Sequence, residues 1–419
     1  MLNFLRRKKN ETQKRGGGFL ALDIGTDVVK ALVCEAAGDI AHIRGVGKVP
    51  QKPGDMNSGA VLDIAGVIEN CSQALEQACN EADMYPSDVV LGIAGELVKG
   101  ITYRTVYTRK EPQTKIDLHE LKQIIHKVQW KSFEETRTQL ASETGCSEID
   151  IKLVNAALVD VRIDGFSVKN PIGFQGKEIE IALFNAFAPL VHFGALQTIA
   201  AELNLNIMTI TAEPYALAQV LDPSPDNPLS ALFIDIGGGT TDIALVRNGC
   251  VEATKMFTLG GRTFTKRLAS VLNISLSEAE SIKQAYGKGG LEKQSERVVK
   301  EAMETDADVW LSGIIITLGE FGQEVLPHHI YMCGGGSHLP EIRQLMTTTE
   351  WYKDMPFKKT PIVEILTPKM VTNIKDHTRR LNDPQDITPL GLARLGVEYI
   401  DEEHLMTTLL RKVIRLMQM

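Results

Sequence analysis

Two short segments of the chain combine Asp, Gly and Thr in a spacing suited to binding phosphate. The first, at 19–27, reads Phe-Leu-Ala-Leu-Asp-Ile-Gly-Thr-Asp, and the second, at 232–242, reads Leu-Phe-Ile-Asp-Ile-Gly-Gly-Gly-Thr-Thr-Asp. In each, an apolar strand-like run ends at the Asp, and a second such run follows the Thr. Glycine at the tip of such a hairpin permits positive φ and lets a phosphate approach the backbone N–H groups. The Asp before each turn is a hard oxygen ligand of the kind that Mg²⁺ takes, usually through water.

The repetition of this loop is more informative than either copy alone. Two such hairpins that face each other would hold the phosphates of a nucleotide from both sides. The copies lie about half a chain apart, and 419 residues are more than one hydrophobic core usually supports. The sequence therefore predicts two lobes with a nucleotide between them.

Composition narrows the class of protein. A formal net charge of −8 argues against a general nucleic-acid surface, and six cysteines show neither metal-site spacing nor a pairing pattern, so reduced thiols in the cytoplasm are expected. The basic run 6–9 follows only a few apolar residues, which does not fit a signal peptide. The longest weakly charged run, 181–196, is too short to span a bilayer.

The elements that must position the two loops divide the chain into segments. The residue pattern changes within 96–175. This region combines alternating apolar residues at 101–107, a helix after Asp117 and a further strand pair, which together predict a small inserted α+β module. The predicted segments are a flexible basic tail (1–18), a first lobe (19–95 and 176–221), the inserted module (96–175), a second lobe (229–386), a helix returning to the first lobe (387–400) and an amphipathic helix (404–419).

The order of five motifs resembles that of the actin-fold ATPases, the group of actin, the 70-kDa heat-shock chaperones and sugar kinases. Besides the two phosphate loops, these motifs lie at 212–216, 329–337 and 388–396. Within the group the chain resembles the bacterial cell-division protein FtsA, through 231–245, the Ala-Glu-x-Ile-Lys pattern at 279–283 and the segment 164–176. The resemblance covers about 19–396 and implies an α/β, two-lobed actin-like fold of duplicated ribonuclease-H-like domains, with the module inserted in the first lobe.

The resemblance also implies a site for ATP and Mg²⁺. Asp23 and Asp235 would hold the hydrated metal, and Glu213 would orient the water that attacks the γ-phosphate in a slow hydrolysis. The implied phosphate contacts are Gly25, Thr26, Lys30, Gly237, Gly238, Gly239, Thr240 and Thr241. Glu280 and Lys283 would meet the ribose and adenine, and the adenosine would lie on Gly334, Gly335, Gly336 and Ser337.

Plainer interpretations of three of these features stay open. Glu280 and Lys283, one helical turn apart, could be a solvated pair on a helix surface. Glu213 and Pro214 could be an ordinary helix start. The triple glycine at 334–336 could be a turn without a ligand.

The last sixteen residues predict an amphipathic, cationic helix. No acidic residue follows Glu403, and the polar half contains Thr407, Thr408, Arg411, Arg415 and Gln418, with Lys412 at the border. The apolar half consists of Leu405, Met406, Leu409, Leu410, Val413, Ile414, Leu416 and Met417. Such a helix suits an anionic membrane surface, and the resemblance implies a membrane helix here. The alternative is a helix packed on its own domain or on a partner.

The expected function is that of an actin-like, ATP-binding cell-division protein. It would polymerise and tether the division machinery, including the FtsZ ring, to the inner face of the cell membrane, as a peripheral protein without a nucleic-acid partner. Only 286–291 separate two helices where the family carries extra strands that help to bind FtsZ. The alternative is a PilM-like cytoplasmic component of type IV pilus assembly. A chaperone would need a substrate domain after Gly396, and a metabolite kinase would need a sugar-pocket motif that we do not find.

Overall fold

The computed structural model describes residues 18–400 and Leu410, apart from 96–97, 145–146, 148–149, 169 and 223–227. The expected basic tail and the terminal amphipathic helix therefore lie outside the described residues, except for Gly18 and Leu410. No helix in the described part of the chain is long and apolar enough to cross a bilayer.

The first half of the chain forms eleven strands and four helices. Their bounds are β1 (Gly18–Ile24), β2 (Val28–Ala37), β3 (Ile40–Pro50), β4 (Met56–Asn57), β5 (Ala60–Val61), α1 (Ile64–Ala82), β6 (Asp88–Ile93), β7 (Lys99–Thr108), α2 (Leu118–Thr144), β8 (Ile151–Ile163), β9 (Phe166–Ser167), β10 (Glu178–Pro189), α3 (Leu190–Glu202), β11 (Asn206–Ala212) and α4 (Glu213–Ala218).

The second half repeats this alternation. Its elements are β12 (Ala231–Ile236), β13 (Thr241–Arg247), β14 (Cys250–Phe257), α5 (Gly261–Leu272), α6 (Leu276–Gly287), α7 (Lys293–Gly319), β15 (His329–Cys333), α8 (Pro340–Thr348), β16 (Ile362–Ile365), β17 (Ile374–Asp376) and α9 (Ile387–Ile400).

The two lobes share one sheet topology. In the first, the strand order is β11-β6-β1-β2-β3, with β17 added beside β3; β1, β2 and β3 are antiparallel, and β6 and β11 run parallel to β1. In the second, the order β16-β15-β12-β13-β14 has the same directions. One buried apolar cluster fills the first lobe and extends onto β12 and β13, and another lies wholly within the second lobe. The predicted duplication, and with it the actin-like two-lobed fold, is confirmed.

Helix α1 illustrates how local sequence specifies these lobes. The Asp63 side chain caps the helix by accepting hydrogen bonds from the N–H groups of Ala65 and Gly66, which would otherwise lack partners. The apolar face of α1 packs directly on β3, and a Cβ on Gly47 would lie 1.8 Å from the carbonyl oxygen of Ala74. Glycine is therefore required in β3 for the helix to approach so closely.

The inserted module has its own sheet, in the order β7-β10-β8-β9, with α2 on one face. The sequence assigned the strand at Glu178 to the first lobe, and that assignment is wrong. β10 pairs with β7 over 178–187 and with β8 over 179–189, so the module extends to Pro189. Both faces of β10 are buried, so its residue pattern does not distinguish between the two sheets.

The module sheet also continues the sheet of the second lobe. β7 pairs with β14 at two positions, Ile101 with Ala253 and Gly100 with Thr254. The result is one nine-stranded sheet that runs from β16 to β9. The helix α9 then returns to the first lobe, where it packs against β1 and α4.

Candidate functional site

The two Asp-Gly-Thr loops are hairpin tips that meet across the cleft between the lobes. Asp23 pairs with Lys30 in the first hairpin, and Asp235 pairs with Asp242 in the second. A Cβ on Gly238 would lie 2.2 Å from Asp27 Oδ2, which leaves no room there for any side chain. The two tips are therefore in direct contact.

Four acidic side chains and one lysine gather beneath these tips. They are Asp23, Glu213, Asp235, Asp242 and Lys30, and all line the cleft. Lys30 Nζ lies 2.8 Å from Asp23 Oδ2, with both side chains largely buried. The Thr388 hydroxyl donates a hydrogen bond to Asp235 Oδ2. The cluster thus has more negative than positive groups in a buried place.

Burial and mutual repulsion change the proton affinities of this cluster. Burial, and then the charge of Asp235, raise the pKa of Asp242 from 3.8 to about 7. Burial and three neighbouring aspartates raise the pKa of Glu213 well above its usual value. Burial alone would lower the pKa of Lys30. The carboxylates of Asp23, Asp235 and Glu213 outweigh this effect and raise the pKa above its usual value, so the lysine stays charged.

The helix α6 brings a second polar pair to the other side of the cleft. It begins with a capping box, in which the Ser275 hydroxyl accepts from the N–H of Glu278 while the Glu278 carboxylate accepts from the N–H of Ser275. Lys283 Nζ lies 2.8 Å from Glu280 Oε2 and also donates to the carbonyl of Gly261 at 3.0 Å. Lys283 is only 8% exposed, which excludes the alternative of a solvated surface pair.

The triple glycine after β15 packs on the end of the second hairpin. Gly334 has φ of +82°, and a Cβ there would lie 2.1 Å from Asp235 Oδ1. A Cβ on Gly336 would lie 2.3 Å from Ile236 Cγ2, whereas one on Gly335 would meet nothing within 4 Å. Two of the glycines permit the close approach to β12, and Gly335 faces open space.

The structure brings most of the predicted site residues together. The cleft is lined by Asp23, Gly25, Thr26, Lys30, Glu213, Asp235, Gly237, Gly238, Thr240, Glu280, Lys283, Gly334, Gly335 and Gly336. Three of the implied ligand contacts, Gly239, Thr241 and Ser337, are not among the lining residues.

Thr241 and Ser337 have structural roles that the motif does not reveal. The Thr241 hydroxyl donates to the carbonyl of Leu259 at 2.7 Å and accepts from Trp310 Nε1 at 2.9 Å. The Ser337 hydroxyl donates to the carbonyl of Gly334 at 2.7 Å. The side chains of Thr241 and Ser337 are both fully buried. Successive residues of a strand point to opposite faces, so Thr240 faces the cleft and Thr241 faces the core. Their assignment as ligand contacts is corrected accordingly.

The cleft also contains residues that sequence reasoning missed. Asp27 and Asp242 end the two copies of the repeated loop, and this equivalence was the signal that could have identified both. On the other side, His338 Nε2 lies 3.0 Å from Asp383 Oδ1, in loops that are far apart in sequence.

Arg262 joins the two lobes beside the hairpin tips. It lies at the start of α5 in the second lobe, and its guanidinium contacts the first lobe through three donors. One bonds the Asp27 carboxylate, and the others reach the carbonyls of Met56 at 2.7 Å and Thr26 at 2.6 Å. This clamp, which we call the Arg262 clamp, holds the hairpin tips together.

Comparison with known proteins finds similarity to one family of cell-division proteins. The family model described as cell division protein FtsA matches residues 232–391, which include the second hairpin, Glu280, Lys283 and the triple glycine. The chain is similar to the FtsA of Neisseria meningitidis serogroup B, with 27% identity over 398 residues and 88% of each chain covered. These matches support a protein of the FtsA family. Its match to the FtsA of Bacillus subtilis has 25% identity and covers 68% of this chain and 61% of the relative.

One solved structure extends the FtsA comparison to the fold. A PilM–PilN type IV pilus biogenesis complex contains a chain that matches with a TM-score of 0.60 at 20% identity. The match covers 90% of this chain and 98% of that one. At this identity the likeness shows the fold alone, which this chain shares with a protein of pilus assembly.

Proposed function

We propose that this chain is a nucleotide-dependent cell-division protein that binds Mg-ATP between its lobes. The observation that carries the proposal is the contact of the two hairpin tips above a buried cluster of carboxylates. Each hairpin belongs to a different lobe. Closure of the lobes would therefore depend on the state of a nucleotide that both hairpins bind. The family model described as cell division protein FtsA covers the second hairpin and α6, which supports this proposal.

The residues present fit a hydrated Mg²⁺. Within the described residues, no three His, Cys, Asp or Glu side chains form a group that could hold a metal ion unaided. Asp23 and Asp235 would therefore hold the ion with water and nucleotide oxygens, which suits Mg²⁺ because it keeps several waters in proteins. The ion would offset the surplus negative charge of the cluster and of the phosphates.

Glu213 is the residue best placed to act on water in a slow hydrolysis. It begins α4, and a Cβ on Gly92 would lie 2.8 Å from its Oε1, so β6 holds the carboxyl group in place. Burial and three neighbouring aspartates raise its pKa well above the usual value, so it holds a proton more tightly than an exposed glutamate does. The rest of the chemistry is positioning by the hairpin tips and by Lys30.

We further propose that the protein acts as a polymer at the inner face of the cell membrane. The cationic amphipathic segment 404–419 would supply the lipid contact, and polymerisation would multiply that weak contact through avidity. The FtsZ ring is the proposed cytoplasmic partner. Only 288–292 join α6 to α7, without a strand between them, so any FtsZ contact would use other parts of the second lobe.

The pilus protein remains the second candidate. Its fold likeness to the PilM–PilN complex keeps it as the alternative, but the sequence relatives described above are cell-division proteins, which makes it the weaker of the two.

Lipid-dependent assembly tests the proposal. With Mg-ATP, the full chain should sediment with phosphatidylglycerol vesicles and form filaments on them, and both should weaken with phosphatidylcholine vesicles or added salt. Removal of 404–419 should abolish sedimentation while ATP binding continues. A full chain that stays in solution at high vesicle concentration, or stays monomeric on lipid, would contradict the membrane or the polymer part respectively.

A further inference from the structure

One face of the module sheet is a continuous apolar surface. Strands β10 and β8 place apolar residues opposite each other along this face, in the pairs Ile179–Ile163, Ile181–Val161, Leu183–Leu158 and Phe187–Leu153. Seven of these eight side chains are at most 5% exposed, so this face lies beneath another layer of the molecule.

The helix α2 forms only part of that layer. Its apolar face, which includes Leu121, Ile124 and Val128, joins the same cluster and lies mainly over β7 and β10. Leu410 also belongs to this cluster and is 2% exposed, although it is far from the module in sequence. A side chain from the C-terminal segment is therefore buried on the module.

The path of the chain explains how Leu410 reaches the module. The helix α9 ends at Ile400, and the Tyr399 hydroxyl accepts a hydrogen bond from Thr209 on β11 at 3.1 Å. β11 in turn lies against β8. The last described turn of α9 therefore lies on the side of the first lobe that adjoins β8.

We propose that the apolar face over β8 is a docking site for the chain's own C-terminal segment, 404–419. Leu410 lies on the apolar half of that segment, the same half that would enter a membrane. Docking and lipid binding therefore exclude each other. The membrane half of this inference rests on the function proposed above, whereas the docking half does not.

Mutual exclusion gives the docked state a regulatory consequence. Only molecules whose segment is free can bind lipid. The apparent affinity for lipid is therefore the intrinsic affinity multiplied by the free fraction. A chain in dilute solution keeps its apolar half covered, and a dense anionic surface draws it out. The module then loses its cover when the protein is on the membrane.

Hydrogen exchange of β8 in the lipid-free full chain tests docking. Leu410→Asp should speed exchange of the β8 amides by roughly tenfold or more, since removing a large buried apolar side chain strongly destabilises its packing. Thr408→Asp adds the same charge on the polar half and should leave β8 unchanged. Removal of 404–419 should reproduce the Leu410→Asp result, with exchange in β12 and β13 unaltered as evidence of intact lobes. Unchanged β8 exchange in both the point variant and the truncated chain would overturn the proposal.

Phosphatidylglycerol vesicles then separate docking from membrane binding. If the full chain binds these vesicles, β8 should exchange as fast as in the truncated chain. Vesicle binding with β8 still protected would overturn mutual exclusion. Absence of vesicle binding, with β8 loosened by Leu410→Asp, would support docking and contradict the membrane anchor.

Discussion

Replacing Arg262 with alanine should loosen the contact between the lobes and speed the release of nucleotide. The Arg262 clamp is the arrangement in which a side chain of α5 grips the Asp27 carboxylate and two first-lobe carbonyls. Because these hydrogen bonds join the second lobe to the first, separation of the lobes at this point breaks all three. The alanine variant removes the clamp without touching the carboxylate cluster.

The magnitude follows from the kind of bonds that are lost. Hydrogen bonds to charged groups contribute about 1.5–3 kcal/mol each when buried. Arg262 and Asp27 are 25% and 31% exposed, so water competes and the whole clamp should contribute about 1–3 kcal/mol to closure. That corresponds to roughly 5- to 150-fold in the open fraction.

Stopped-flow displacement of a fluorescent ATP analogue measures this directly. The dissociation rate of the Arg262→Ala variant should rise by roughly tenfold, within the range above. Arg267→Ala is the matched control: it lies on the same helix and carries the same charge, but its ion pair with Asp306 stays within the second lobe. Equal dissociation rates in the wild type and the Arg262 variant would refute the clamp as a determinant of closure.

Three further predictions concern the glycine loop and the acidic cluster. Gly334→Ala should lower the free energy of unfolding by more than about 2 kcal/mol because of its +82° φ and the contact with β12, whereas Gly335→Ala should be tolerated; urea unfolding of both checks this. The pKa of Asp242 rises from 3.8 to about 7 on folding, so the stability of the ligand-free protein should fall by up to about 4 kcal/mol as pH rises across that interval. Asp242→Asn should remove that fall, and equal pH slopes would contradict it. Lys30→Met should destabilise the protein by about 3 kcal/mol, measured by thermal unfolding, because Asp23 is then buried without its partner.

The sequence could predict the hairpin tips because their chemistry is local. Asp, Gly and Thr within a few residues specify the turn and the groups it exposes, and two copies specify the two-lobed site. The membership of β10 in the module sheet could not be predicted in this way. Residues that pair between β10 and β7 are up to 88 positions apart, as for Phe187 and Lys99, and a strand buried on both faces fits either sheet.

The Arg262 clamp was hidden for a similar reason. Nothing around Arg262 in the sequence distinguishes it from a solvated basic residue, because its partners lie more than 200 residues away. The alternation of side chains along a strand could have distinguished the buried Thr241 from Thr240, but only if the first residue of β13 had been known. The burial of Leu410 on the module could not be predicted either, because it joins residues that are far apart in sequence.

Calorimetric titration of ATP in the presence of Mg²⁺, with wild type and Asp235→Ala, tests the central claim most directly. The claim is that both hairpins hold one metal-bound nucleotide, with Asp235 as the second lobe's contribution. The variant should bind ATP roughly 10- to 100-fold more weakly, and added Mg²⁺ should strengthen its binding less than in the wild type. Asp354→Ala, at an exposed position, should bind as the wild type does. Unchanged affinity in Asp235→Ala would contradict the assignment of the cleft.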